Sequence, residues 1–359
     1  MGFFNELGTK IKDDGMLTFI DSSQTFAGST IPYGVRTGVP MLDLALGRPG
    51  WAAGRVVELY GFEGCGKTTL GLHAIAQVQR MGGMGIFIDS ELTFDPYRAN
   101  QIGVSQKYGE DFARIEARSV EAGFRAIQGI TNAIKESGET RPMVVLYDSV
   151  TGSNLEYNIT RLADKKSGYA FGAAERIGQE AKSIRTGMRT IAADISATKI
   201  VLIFINHAVA TIAGTYAKAS QAAGGHAIKL FASTRCELKK STKIKDSDKN
   251  LLGAETNIFI EKSKVGGVSI ENVKVELMNT YGFDTVGNLL EAAKESGMVE
   301  WPAKAKTGTL KFIDPGRVVS KADWGQFVEE SGGVDEVYSQ FYRWCFQNGL
   351  MRPYGEVSG

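Results

Sequence analysis

The segment Gly61-Phe-Glu-Gly-Cys-Gly-Lys-Thr68 is the stretch of this chain best suited to chemistry. Glycines at Gly61, Gly64 and Gly66 let a main chain curl until successive N–H groups point inward, a geometry that cradles phosphate oxygens. In such a loop Lys67 bridges the terminal phosphates and the Thr68 hydroxyl ligates magnesium, with Glu63, Cys65 and Thr69 as neighbouring lining. The spacing has meaning only between a strand and a helix, and both patterns are present: the apolar run Val56–Tyr60 before it and a helix-length segment from Thr68 to Arg80 after it. Asp148 ends a second apolar run, Met143-Val-Val-Leu-Tyr-Asp. A carboxylate at the carboxyl end of a buried strand faces the crevice where ligands bind, so Asp148 is expected to hold the magnesium from the side opposite Thr68. A third run, Gly85-Ile-Phe-Ile-Asp89-Ser-Glu91, carries two acids at its end. Either Asp89 or Glu91 suits the orientation and deprotonation of an attacking water, and spacing alone does not separate them.

Elements that position these groups recur from about Ile31 to Gly282 as strand, loop and helix. Near-continuous Val/Ile/Leu runs at Val56–Tyr60, Gly85–Asp89, Met143–Asp148 and Ile200–Asn206 alternate with helical segments such as Val120 to Ser137. This predicts an α/β core with a mostly parallel sheet covered on both faces. Runs at Ala232–Lys239, Thr256–Lys262 and Val273–Leu277 are expected to extend that sheet. Three units follow: an arm over 1–33, the core over 34–282, and a small α+β unit over 283–359 with helices near Asn288–Lys294 and Val334–Phe346. The arm carries a helical stripe, Phe3, Phe4, Leu7 and Ile11, then a strand-like stretch, Met16–Ile20. It is too short to fold alone, so its apolar residues are expected to dock on another subunit.

Composition narrows the function class. The net charge of +1 excludes a global positive field, so any nucleic-acid contact must come from local patches. Three scattered cysteines, Cys65, Cys236 and Cys345, lack metal-ligand spacing and read as reduced thiols. The opening residues show no signal-peptide pattern, and no apolar run reaches membrane-spanning length, so a cytoplasmic protein of a bacterial cell or a phage-infected host is expected.

Several blocks carry a closer resemblance. Thr37-Gly-Val-Pro-Met-Leu-Asp-Leu-Ala-Leu-Gly47, Gly54-Arg-Val-Val-Glu-Leu-Tyr-Gly61, Phe87-Ile-Asp-Ser-Glu91, Asp95-Pro96, Tyr147-Asp-Ser-Val150, Leu202-Ile-Phe-Ile-Asn206 and Gly224-Gly225-His-Ala-Ile-Lys229 stand in one order across about residues 15–300. Together they resemble the RecA family of homologous recombinases. The resemblance implies a RecA-type phosphate-loop ATPase using ATP and Mg2+. By it Glu91 is the catalytic carboxylate, and Asp95 reaches the adenine amino group. The family's base-stacking tyrosine falls at Arg98, with Tyr97 one position earlier, and either side chain can cover the base. A family glutamine that senses the γ-phosphate falls at His207, as in some RecA-like phage recombinases. Lys262 and Lys264 match a lysine pair that reaches across a subunit interface to a neighbour's γ-phosphate, the logic of a cation supplied in trans.

The same resemblance implies single-stranded DNA, homologous duplex DNA and further copies of the chain as partners, assembled in a helical filament. Two segments, about 154–169 and 208–223, match the family's DNA-binding loops. The first contains Arg161, Lys165 and Lys166, charges suited to phosphate; Phe171 or Tyr169 suits a wedge between bases, and Arg176 matches a DNA-proximal arginine of the family. Ile212 falls at the intercalating position of the second segment, with Tyr216, Lys218, Gly224 and Gly225 beside it. Past Glu300 the likeness fades to a loose basic run, Lys304, Lys306, Lys311 and Arg317, suited to duplex DNA or to a solvated face. The ending Arg352-Pro-Tyr-Gly-Glu-Val-Ser-Gly lacks the family's acidic tail, so autoinhibition by such a tail is not expected. A ring helicase built on the same core is the alternative, but it carries a larger N-terminal domain and an arginine finger. A nucleotide-regulated assembly protein without catalysis is disfavoured by intact Lys67, Thr68, Glu91 and Asp148.

Overall fold

The structure, a computed structural model, describes residues 31–151, 155, 173–210, 220–223 and 226–355. Its first elements are β1 (Gly34–Val35), α1 (Pro40–Leu46) and β2 (Trp51–Ala52), with β1 and β2 paired antiparallel. The alternating part follows as β3 (Arg55–Gly61), α2 (Lys67–Arg80), β4 (Met84–Asp89), α3 (Pro96–Ile102), β5 (Phe112–Glu116), α4 (Val120–Ser137), β6 (Met143–Asp148), α5 (Ala173–Thr198) and β7 (Val201–Ala210). Next come β8 (Ser220–Ala222), α6 (Ala227–Phe231), β9 (Thr234–Lys245), β10 (Leu251–Ser263), β11 (Asn272–Met278) and β12 (Gly282–Phe283).

One sheet joins them in the order β12-β11-β10-β9-β3-β7-β6-β4-β5, with β8 paired to β7. From β9 to β5 every pairing is parallel, and the extension through β10, β11 and β12 is antiparallel. The parallel strands are apolar throughout because both their faces are buried. Val144 and Leu146 pack with Leu70, Ala74 and Val78 of α2 on one face. Val145 and Tyr147 pack with Phe124 of α4 and with Ile184, Met188 and Ile191 of α5 on the other.

One departure from the sequence reading concerns length. Strand β7 continues past Asn206 to Ala210, and Ala208–Ala210 pair with Ala222–Ser220. The segment expected as a loop from 208 therefore leaves and re-enters the core as paired strands. Edge strand β5 and helix α5 were not anticipated as elements.

Beyond β12 lie α7 (Thr285–Glu295), β13 (Val299–Glu300), β14 (Thr307–Leu310), β15 (Val318–Ser320), α8 (Trp324–Glu330) and α9 (Val334–Gln347). They share a core that includes Leu289, Trp324, Phe327 and Phe341, and Leu44 of α1 joins it. At this seam the buried Asp43 carboxylate accepts hydrogen bonds from the hydroxyls of Tyr338 and Tyr342 and from the Thr37 N–H. Burial outweighs those bonds and pushes its pKa up to about 6.

Candidate functional site: a nucleotide cradle and a distant lysine pair

Parallel pairing brings the carboxyl ends of four strands together. Gly61 stands beside His207 in the β3–β7 ladder, and Asp89 beside Asp148 in the β4–β6 ladder. The turn from Gly61 into α2 thus opens at the same edge of the sheet as the strand ends Asp89 and Asp148. Glycine is required at its start, where a Cβ on Gly61 would come within 2.3 Å of the Leu238 carbonyl oxygen. It is required again at Gly66, where φ is 96° and a Cβ would meet Phe283 at 2.9 Å. Helix α2 then begins at Lys67 with no side-chain cap, leaving its first N–H groups free to bind an anion.

Inside the cradle the polar groups hold one another. Lys67 Nζ, almost fully buried, donates to the carbonyls of Gly61 at 3.0 Å and Phe62 at 2.8 Å. Cys65 Sγ packs inward on the Phe62 carbonyl, and burial raises its thiol pKa, so it serves as loop filling. Thr68 Oγ1 donates to Asp148 Oδ2 at 2.6 Å. Burial pushes the Asp148 carboxyl up to about 6 despite that bond. A hydroxyl and a carboxylate this close are hard oxygen donors, and such a sparse protein set suits magnesium, which draws its remaining ligands from phosphate and water. The Thr68–Asp148 pair therefore fits the ion implied by the phosphate loop.

The geometry also separates the two acids after β4. Asp89 is sealed from solvent and takes both Nε and an Nη of Arg114, at 3.1 and 2.8 Å, plus the Thr93 and Phe94 N–H groups. Its lone pairs are spent on holding β5 and the following turn. Glu91 instead faces the cradle. Its Oε1 lies 2.8 Å from His207 Nε2 and accepts from the Ser149 hydroxyl. The His207 bond, followed by that of Ser149, holds the Glu91 carboxyl below its ordinary range although burial opposes this. Ser149 and Ser90, whose hydroxyl donates to the carbonyls of Asp148 and Ser149, were missed in the sequence. Their only signal was adjacency to the two acidic strand ends.

A cavity of about 230 Å3 adjoins the loop, lined by Gly64, Gly66, Lys67, Thr68, Thr69, Arg98, Lys240 and the end of β11. Arg98 is fixed there by three main-chain carbonyls, those of Met278 at 3.0 Å, Asn279 at 2.6 Å and Thr280 at 2.8 Å. Tyr97 is 71% exposed and does not line this cavity. Asp95 caps α3, accepting from the N–H groups of Tyr97 and Arg98. Glu63 is exposed on the outside of the loop.

Lys262 and Lys264 are not part of this cradle. Gly61 pairs with Leu238 and that with Ile258, whereas Lys262 pairs with Arg235, beside Glu58. The lysine thus lies roughly 10 Å along the strands and two strand spacings across, too far to serve its own loop. Lys262 Nζ rests on the carbonyls of Lys229, at 2.5 Å, and Leu230, at 3.3 Å, the last turn of α6. Burial and then the neighbouring Lys264 and Arg235 lower its pKa.

Arg161, Lys165, Lys166, Tyr169, Phe171, Ile212, Tyr216, Lys218, Gly224 and Gly225 lie outside the described residues, as do residues 1–30 of the arm over 1–33. Of Arg176 only the backbone, in α5, is described. What is placed is the root of the second segment: β7 and β8 leave the sheet directly from His207. In the C-terminal unit the loose basic run is partly neutralised, since Lys311 pairs with Glu300 and Arg317 with Glu330 and Asp314. No helix among the described residues is long and apolar enough to cross a membrane.

Comparison with known proteins agrees with this arrangement. The family described as RecA N-terminal domain matches residues 29–284. Protein RecA of Desulforapulum autotrophicum is 32% identical over 284 residues, covering 79% of this chain and 75% of the relative. Protein RecA of Phytoplasma mali is 32% identical over 267 residues, covering 74% and 73%. Protein RecA of Bartonella quintana is 32% identical over 305 residues, covering 85% and 80%. With the family domain spanning most of the chain and the phosphate loop, acids and sheet order in place, the protein belongs to the RecA family.

Proposed function

We propose that the protein is a cytoplasmic DNA-dependent ATPase that forms a head-to-tail filament on single-stranded DNA and pairs it with a homologous duplex. The observation that carries this reading is the 2.8 Å contact between Glu91 and His207, because it joins a candidate water-activating group to the root of the second DNA segment. In the proposed cycle, ATP is the substrate, with its phosphates on the Gly61–Thr68 main chain and Lys67. Thr68 and Asp148 would hold magnesium, which would supply charge neutralisation at the phosphates. Glu91, kept ionised by His207 and Ser149, orients the attacking water and takes its proton. Arg98 presents a flat guanidinium to the base.

His207 gives the site its responsiveness to DNA. With Glu91 ionised, its Nε2 donates, so any shift of the β7–β8 segment on DNA moves the partner that aims the carboxylate. Coupling of this kind is reciprocal: DNA favours the hydrolytic arrangement, and bound ATP favours the DNA-gripping one. Lys262 and Lys264, out of reach of their own loop, complete the γ-phosphate site of the next protomer.

Phosphate release with and without single-stranded DNA, followed by a strand-exchange assay, tests the reading. The wild type is expected to be stimulated by DNA, and Glu91→Gln to bind DNA and ATP in persistent filaments while releasing about 10²-fold less phosphate. Unstimulated release in the wild type, or undiminished release in Glu91→Gln, would overturn it.

A further inference from the structure

A charged network lies inside the sheet between the two functional ends. Glu58 of β3, Arg235 of β9 and Glu261 of β10 occupy neighbouring strands and are 1%, 7% and 12% exposed. Arg235 Nε donates to Glu58 Oε2 at 2.5 Å, one of its terminal nitrogens donates to Glu261, and the guanidinium lies 4.2 Å from the centre of the Tyr60 ring. The Tyr60 hydroxyl also bonds Glu261. On the other side, Glu58 Oε1 accepts from Asn206 Nδ2 at 2.9 Å. That same amide donates to the Ala223 carbonyl at 3.0 Å, and its oxygen accepts from the Thr151 hydroxyl at 2.8 Å. Thr151 and Asn206 directly follow and precede the segments that carry Ser149 and His207.

Nothing about sheet stability calls for these charges. Burying ions costs desolvation that apolar side chains avoid, and the surrounding strands show that Val, Ile and Leu fill such positions here. A buried ion pair that apolar side chains could replace is weak evidence of added stability, which leaves a role in fixing geometry to be tested. The geometry it fixes is visible at Glu261. Ile260 pairs with Cys236 and Lys262 with Arg235, so Glu261 is the extra residue of a bulge in β10. A bulge re-aims the side chains that follow it, and the residue that follows is Lys262.

We infer that Glu58, Arg235 and Glu261 are positioning residues that set the direction of Lys262 and tie it to Asn206 at the nucleotide end of the same protomer. This relay rests on the proposed function and adds a path through one subunit, from its own nucleotide site to the cation it lends its neighbour. Both ends bear on one stretch of chain. Asn206 holds the Ala223 carbonyl, and Lys262 holds the carbonyls of Lys229 and Leu230 a few residues later. A displacement at the root of the second segment is therefore felt at the resting place of the lysine.

The test is a double-mutant cycle on DNA-stimulated phosphate release by the full chain, using Glu261→Gln, Lys262→Ala and the pair. Glu261→Gln keeps the shape and removes the charge. It is expected to lower kcat about tenfold, to leave binding of a fluorescent ATP analogue without DNA unchanged, and to add no further loss on top of Lys262→Ala. Glu58→Gln, at the far side of Arg235, is expected to behave likewise and serves if Glu261→Gln does not fold. Full-rate turnover in the glutamine variants, or losses that multiply with Lys262→Ala, would overturn the relay while leaving the ATPase reading intact. A wild type that releases no phosphate on DNA would overturn both.

Discussion

The two ends of the parallel strands are built on opposite plans. At the carboxyl end each reactive group already has a partner from its own chain: Thr68 with Asp148, Glu91 with His207, Lys67 with loop carbonyls. Toward the amino end Lys262 rests on two main-chain carbonyls and not on a carboxylate. A cation parked on neutral acceptors gives up little on leaving them for a phosphate, whereas an acid pinned by two hydrogen bonds stays aimed. In the proposed function the first end does the chemistry and the second is lent to a neighbour. On the proposed function such a site is whole only between protomers, and assembly is then a condition of hydrolysis.

The largest expected effect lies at the lent end. Lys262→Ala/Lys264→Ala should lower DNA-stimulated hydrolysis about 10³-fold, the lower end of what a cation supplied in trans contributes to phosphoryl transfer. Nucleotide affinity of the isolated protomer should not change, because neither lysine reaches its own loop. A parallel loss of affinity, read by fluorescent-nucleotide titration, would erase the distinction between the ends.

At the organised end His207→Ala should cost about tenfold in turnover, and His207→Gln, which keeps a donor for Glu91, should recover most of it. If glutamine rescues nothing, the histidine does more than aim the carboxylate. Smaller again is Arg98→Ala, expected to raise KM for ATP several-fold with kcat near wild type, the signature of binding shared equally by ground and transition states.

The seam with the C-terminal unit belongs to neither end and provides a control. Asp43 has a pKa of about 6 in the fold against an ordinary value of 3.8, so the folded chain holds this proton more tightly than the unfolded one. Its favourable contribution is therefore complete below pH 4 and disappears as pH rises through 6. In urea unfolding, the stability of the wild type relative to Asp43→Asn should fall by about 2–3 kcal/mol between pH 4 and 6.5. Hydrolysis corrected for unfolded protein should not follow that change.

Much of the organised end was readable before folding, because it depends on local spacing: a glycine loop between a strand and a helix, and acids closing apolar runs. Spacing alone left Asp89 and Glu91 open and the family resemblance chose Glu91; the fold adds the physical reason, since Arg114 from the neighbouring strand β5 occupies Asp89. Strand β5 itself was overlooked because Phe112-Ala-Arg-Ile-Glu116 pairs on one side only and mixes charges into a short run. Helix α5 did leave a signal, with Ile184, Met188, Ile191 and Ile195 at helical spacing among polar and small residues. Glu58 and Arg235 are charges inside apolar strands that the sequence reading passed over. Their pairing spans 177 positions, however, and follows only from the adjacency of β3 and β9.

Complementation by mixing tests the divided site most directly. Glu91→Gln lacks the water-aiming acid but keeps its lysines, and Lys262→Ala/Lys264→Ala has the converse defect. In equal mixture on single-stranded DNA, about one quarter of the interfaces join an intact acid to an intact lysine pair. Two nearly inactive proteins should together recover up to that share of wild-type phosphate release. A mixture no more active than its components, with both shown to co-assemble, would contradict it.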